Sequence, residues 1–246
     1  MRDAAGHRIA TSRKGLAMEH QPPRKFHLPR ELFKFLKELS ANNNRDWFEA
    51  NKPAYEQTVR EPLLRFVEEF GPMLHAISRY FVADARATGG SISRIYRDLR
   101  FSKDRRPYKT EMALHFSHRE ATAGYQAPSF YLRLAPGDCF GGGGMWKPDA
   151  ATLRKVRGAI IAQPKAWQSV LDAGFSIKGE MLQRPPPGYP SDHRFAADLM
   201  RKSFLISQPF AEKEVCSSAF LEDYAVLCRR MLPFTRFLTT AVGLRW

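Results

Sequence analysis

Over residues 112–117 and again over 129–134 the large apolar side chains fall on every second position. That period restricts the fold more than any other feature of the chain. Met112, Leu114 and Phe116 alternate with Ala113, His115 and Ser117, and Phe130, Leu132 and Leu134 alternate with Tyr131 and Arg133. Successive side chains of a strand point to opposite faces, so both stretches predict strands with one buried face. Pro136-Gly137-Asp138 supplies a turn, and Cys139-Phe140 begins a return strand that runs into Gly141–Gly144. Together they predict an antiparallel hairpin.

On either side of this stretch the period is helical. Leu32, Phe35, Leu36 and Leu39 share one face of a first helix behind Pro29, and Asn42-Asn43-Asn44 ends it. Asp46 is expected to cap a short turn that presents Trp47 and Phe48 to the core. A second helix is expected from Pro53 to Phe70, kinked at Pro62 and broken by Gly71-Pro72, with a third over Met73–Phe81. After the hairpin, Pro148-Asp149 opens a helix carrying Leu153, Val156 and Ile160, and Pro164 opens another carrying Trp167 and Val170. Phe175–Gly179 and Ser203–Pro209 read as strands, Glu212–Arg230 as a helix and Pro233–Val242 as a short terminal helix. Helices, then strands, then helices with a late strand predict an α+β fold with an antiparallel or mixed sheet. We expect one domain over residues 27–246. Residues 1–26 lack any period, contain Pro22-Pro23 and are basic, which predicts a disordered extension, with Met18 as a second candidate start.

At 246 residues and 43% hydrophobic content the chain can bury a sizeable core. Its formal net charge of +14 favours anionic partners: nucleic acid, an acidic membrane surface or phosphorylated metabolites. No apolar run reaches the roughly 18 residues that a membrane-spanning helix needs, so no membrane insertion is expected. Cys139, Cys216 and Cys228 are odd in number and have no C-x-x-C spacing, which argues against a disulfide framework or a structural zinc site. That usage fits a reducing compartment, and the cytoplasm is the expected location.

The charge concentrates in one segment. Residues 93–109 hold seven basic and two acidic side chains, with Tyr96, Phe101 and Tyr108 among them. Ile95 and Leu99 are four apart, as are Arg94 and Asp98, so the spacing favours helix or mixed geometry up to Phe101. Pro107 then fixes a turn in a polar loop. Arginine forks onto phosphate or carboxylate oxygens and lysine adds a mobile charge, so the segment is a candidate anion site. Its expected ligand-binding residues are Arg94, Tyr96, Arg97, Arg100, Lys103, Tyr108 and Lys109. Asp98, Asp104 and Lys109 are the catalytic candidates if the site is an enzyme's. The contrary reading is an internal network of ion pairs, but two carboxylates cannot neutralise seven cations, so closure would need acids from elsewhere, such as Glu111.

The run RIYRDLRFSKDRRPYK at 94–109 resembles the motif RxYRDxRFSKDKxPYK of a widespread family of uncharacterised proteins with a domain of unknown function. Further matches are FxxxLxxNNxxxWF at Phe35–Phe48, GGGGMWKP from Gly141, Leu153 with Arg157, and Pro187-Gly188-Tyr189 ahead of Leu199–Phe204. Arg105 stands where the motif has Lys, which keeps the charge. The resemblance covers about residues 28–240 and implies a single domain of this length; it assigns no activity, cofactor or catalytic residue.

Other constellations are weaker. Gly141–Gly144 precedes a helix and could aim backbone N–H groups at a phosphate, so Gly142, Gly143 and the adjoining Trp146 join the candidate site. The glycines match neither G-x-x-x-x-G-K-S/T nor G-x-G-x-x-G, and a bulge or close backbone packing beside Trp146 explains them better. No H-E-x-x-H, Cys/His cluster or G-x-S-x-G occurs, so no metal site is expected. Three uses remain. They are a module that binds nucleic acid or another phosphate-bearing partner, an enzyme on a small phosphorylated or carboxylated substrate, and a structural staple.

Overall fold

The computed structural model describes residues 26–100, 103–121 and 127–246. The expected extension 1–26 therefore lies outside the described residues apart from Phe26, whose ring is 6.2 Å from that of Phe66. Helix α1 (Arg30–Ala41) is followed by α2 (Arg45–Ala50), the single turn α3 (Lys52–Tyr55), a π-helical turn (Glu56–Arg60) and α4 (Glu61–Ile77). Strands β1 (Met112–Ser117), β2 (Ser129–Leu134) and β3 (Cys139–Met145) come next. Then follow α5 (Ala150–Ala162), α6 (Pro164–Asp172), the short α7 (Ala196–Leu199), β4 (Phe204–Phe210), α8 (Glu212–Val215), α9 (Phe220–Arg230) and α10 (Leu232–Ala241).

The four strands form one antiparallel sheet in the order β1-β2-β3-β4. The architecture is a single α+β domain. The alternation read from sequence sets the two faces: Phe116, Phe130, Leu132 and Phe204 are fully buried on one of them. Helices close over that face. Phe70 of α4 lies 4.8 Å from Phe116, and Trp167 of α6 lies 6.0 Å from Phe204. Among the described residues no helix is long and apolar enough to cross a membrane.

Several local expectations are corrected. Gly71-Pro72 does not end a helix, because α4 runs through Pro72 to Ile77. Its buried stripe of Phe66, Phe70, Leu74 and Ile77 is unbroken across the proline, and burying that stripe outweighs the lost backbone bond. Asn44, not Asp46, caps α2, its side chain accepting the Trp47 N–H at 2.9 Å. Glu212–Arg230 is two helices, parted at Ser217 and Ser218, residues that compete for backbone bonds and favour turns. Phe175–Gly179 contributes only an isolated bridge, from Lys178 to Leu205.

Gly141–Gly144 is strand, not a loop at a strand–helix junction: all four glycines lie within β3, in the interior of the sheet. A Cβ on Gly141 would stand 2.7 Å from Leu227 and 3.0 Å from Tyr224 of α9, and one on Gly143 3.0 Å from Thr235 of α10. These two glycines let α9 and α10 approach the sheet. Gly144 has φ of 129° and its backbone comes against the Phe204 carbonyl, a position closed to any side chain.

Candidate functional site

The basic segment is extended, which corrects the helical expectation. Residues 91–97 and 107–115 run antiparallel as the arms of a hairpin. His115 N–H donates to Ser91 O and Ser93 N–H to Ala113 O, both at 2.8 Å; further out, Lys109 N–H donates to Ile95 O at 2.7 Å and Arg97 N–H to Pro107 O at 2.9 Å. The first arm thus lies along the free edge of β1. Helical spacing of Ile95 and Leu99 was outweighed by pairing across twelve residues, Tyr96 with Tyr108, which no local pattern reports.

Asn43 fastens the hairpin to the helical layer. Its side chain donates to Tyr108 O at 3.0 Å and accepts the Tyr108 N–H at 3.1 Å. The Tyr108 ring, expected at the ligand, is instead buried and stacks 4.1 Å from Phe48. It holds the arm in place. Tyr96 lies on the other arm and is 50% exposed.

At the tip, the segment's arginines pair with its own two acids. Arg100 pairs with Asp98 at 2.6 Å, and both Arg97 and Arg106 pair with Asp104, at 2.5 and 2.6 Å. The Arg100 guanidinium holds the Asp98 carboxyl down at about 2, and Arg106 with Arg97 holds Asp104 lower still. Such carboxylates are poor proton acceptors at neutral pH. Among the described residues Arg94, Lys103, Arg105 and Lys109 make no ion pair. Phe101 and Ser102 of the tip lie outside the described residues.

Only part of the candidate set converges. Lys109, Gly142, Gly143 and Trp146 line one cavity of about 730 Å³. Its floor is the sheet face turned away from the helices. Arg94 and Tyr96 line a separate cavity of about 240 Å³ beside the π-helical turn, where burial lifts the Tyr55 hydroxyl to about 12. Arg97, Arg100, Lys103, Asp98 and Asp104 line neither; the Arg100 side chain is 77% exposed.

The large cavity also holds residues that sequence reasoning placed on the right face without considering them as ligands. His115 and Tyr131 are cross-strand partners with ring centres 4.6 Å apart, and Phe140 lies 5.7 Å beyond Tyr131. The signal was present: a half-buried strand face carrying His and Tyr where the opposite face is wholly apolar. Burial, then the nearby Lys109, holds the His115 imidazole below its ordinary pKa, which favours the neutral ring at pH 7. Burial likewise lowers Lys109, opposed by Glu111. Arg133 engages both cavity carboxylates, Glu111 and Asp138. Lys178 comes from the far edge of the sheet and donates to Ser207 Oγ at 3.1 Å. Among the described residues no group of three or more His, Cys, Asp or Glu converges as a metal site would require.

Residues 31–237 match a family described as a conserved hypothetical protein, DUF2461. The chain belongs to that family. The DUF2461 match takes in α1, the basic hairpin, the whole sheet and most of α10. No curated protein and no solved structure matches the chain.

Proposed function

We propose that this DUF2461 protein binds nucleic acid, with the hairpin 94–109 supplying the attraction for phosphate. One observation supports the reading: among the described residues Arg94, Lys103, Arg105 and Lys109 make no ion pair, while both acids of the segment pair with its own arginines. At the tip the Arg100 and Asp98 side chains are open to solvent, which suits a polymer of phosphates better than one small anion. A net charge of +14 adds long-range attraction.

Mobility shift of an oligonucleotide tests it. Four lysine or arginine contacts to phosphate would make retention fall about a hundredfold between ~50 and ~200 mM salt. Absence of any retention at ~50 mM salt would defeat the reading.

The volume of the large cavity favours a second reading, an enzyme acting on a small phosphorylated or carboxylated substrate, since cavities of several hundred Å³ are typical of small-molecule sites. Its acid–base groups would be Lys109 and His115 in the cavity, not Asp98 and Asp104, which lie outside it under arginine. A nucleoside monophosphate that binds as tightly as an oligonucleotide would favour this second reading.

A further inference from the structure

We propose that the sheet face opposite the packed helices seats unpaired nucleobases, so that the partner is single-stranded. This rests on the nucleic-acid reading above and adds which form of nucleic acid is taken and which surface reads it.

The open face of β3 presents Phe140, Gly142 and Gly144 in that order, and Trp146, just past the end of the strand, lines the same cavity. Tyr131 lies directly across from Gly142 on one side and Ser207 on the other, so the glycine trough has a ring for one wall and a hydroxyl for the other. A planar base laid on that backbone would stack beside Tyr131, with His115 next in the row. Trp146 is 49% exposed and offers a second ring at the mouth.

Charge matches the same occupant. Lys109 and Lys178 enter the cavity from opposite edges of the sheet, and among the described residues neither makes an ion pair. Glu111 and Asp138, which would repel phosphate, are both held by Arg133. The open end of the Lys109 arm continues into the basic tip, so one strand could run from the trough onto the hairpin. A duplex keeps the flat faces of its bases stacked on each other, and only an unpaired strand can offer them to Tyr131.

The test compares three fluorescent probes on the whole chain: an oligonucleotide of ~10 residues, the same sequence as duplex, and a nucleoside monophosphate. The single strand is expected to bind at least about tenfold tighter than either of the others. Tyr131→Ala should weaken the single strand about tenfold, with the salt slope and duplex binding unchanged. Trp146→Ala, at an exposed position, serves as a second variant with the same expected direction. Lys103→Ala should instead weaken single strand and duplex alike and flatten the salt slope by about one. Equal affinity for single strand and duplex, with both aromatic variants neutral, overturns the inference and leaves the hairpin reading intact. A monophosphate that binds as well as the oligomer also overturns the inference, and it favours the small-substrate reading over the hairpin one. No binding of any nucleic acid at ~50 mM salt defeats both.

Discussion

The two faces of the sheet come from the same strands and differ by a shift of one residue. On one face Phe130 and Leu132 are sealed beneath helices; on the other, Tyr131 and Arg133 are half-buried, and Tyr131 lines a cavity. The glycines of β3 follow the same division. Gly141 and Gly143 bring α9 and α10 close, while Gly142 and Gly144 line the trough and sit tight against the β4 backbone. One face spends its residues on cohesion. The other leaves aromatic rings, two lysines and a neutral imidazole where a ligand can reach them.

Neighbouring substitutions should separate the two roles. Phe130→Ala is expected to cost about 3–5 kcal/mol of stability in chemical denaturation, because a fully buried ring leaves a cavity. Tyr131→Ala, one residue on, should cost no more than about 1 kcal/mol and show its effect in binding instead. Equal costs for the two would erase the distinction. Gly141→Ala should follow at about 1–3 kcal/mol, since the added methyl meets Leu227 and Tyr224 on the packed face.

A smaller effect is expected with pH. Burial depresses both His115 on the open face and His118 on the packed face below the unfolded value of about 6.5. Below that value the unfolded chain takes up protons that the folded chain refuses, so stability is lost as pH falls toward the depressed pKa values. Melting temperatures from pH 7.5 down to 5 should decline, and His115→Gln should remove part of the decline. The smallest effect belongs to Asp98→Ala, whose ion pair with Arg100 is exposed: the melting temperature should stay unchanged. A variant that unfolds would mean that the hairpin tip is a structural staple.

Much of this contrast was legible in the residues. The period of two at 112–117 and 129–134 gave the strands, their faces and the α+β class, since alternation is local and burial enforces it. The geometry of the basic segment was not legible. Its arms are held by Tyr96 opposite Tyr108 and by Asn43 reaching Tyr108 from sixty-five residues away, and neither contact leaves a local pattern. Gly71-Pro72 misled for a related reason, as a breaker inside a strongly apolar stripe yields to tertiary packing. Lys109, Gly142 and Trp146 were singled out and do share one cavity, yet His115, Tyr131, Phe140 and Lys178 join it only once the strands are placed side by side.

The most direct test is to follow backbone amide signals while a single-stranded oligonucleotide of ~10 residues is added at low salt. Perturbations are expected at Lys109, His115, Tyr131 and Gly142 and along the hairpin tip, with the exposed outer surfaces of α4 and α9 unaffected. Perturbations confined to the helical side, or none at all, would contradict the assignment of the open face as the functional one.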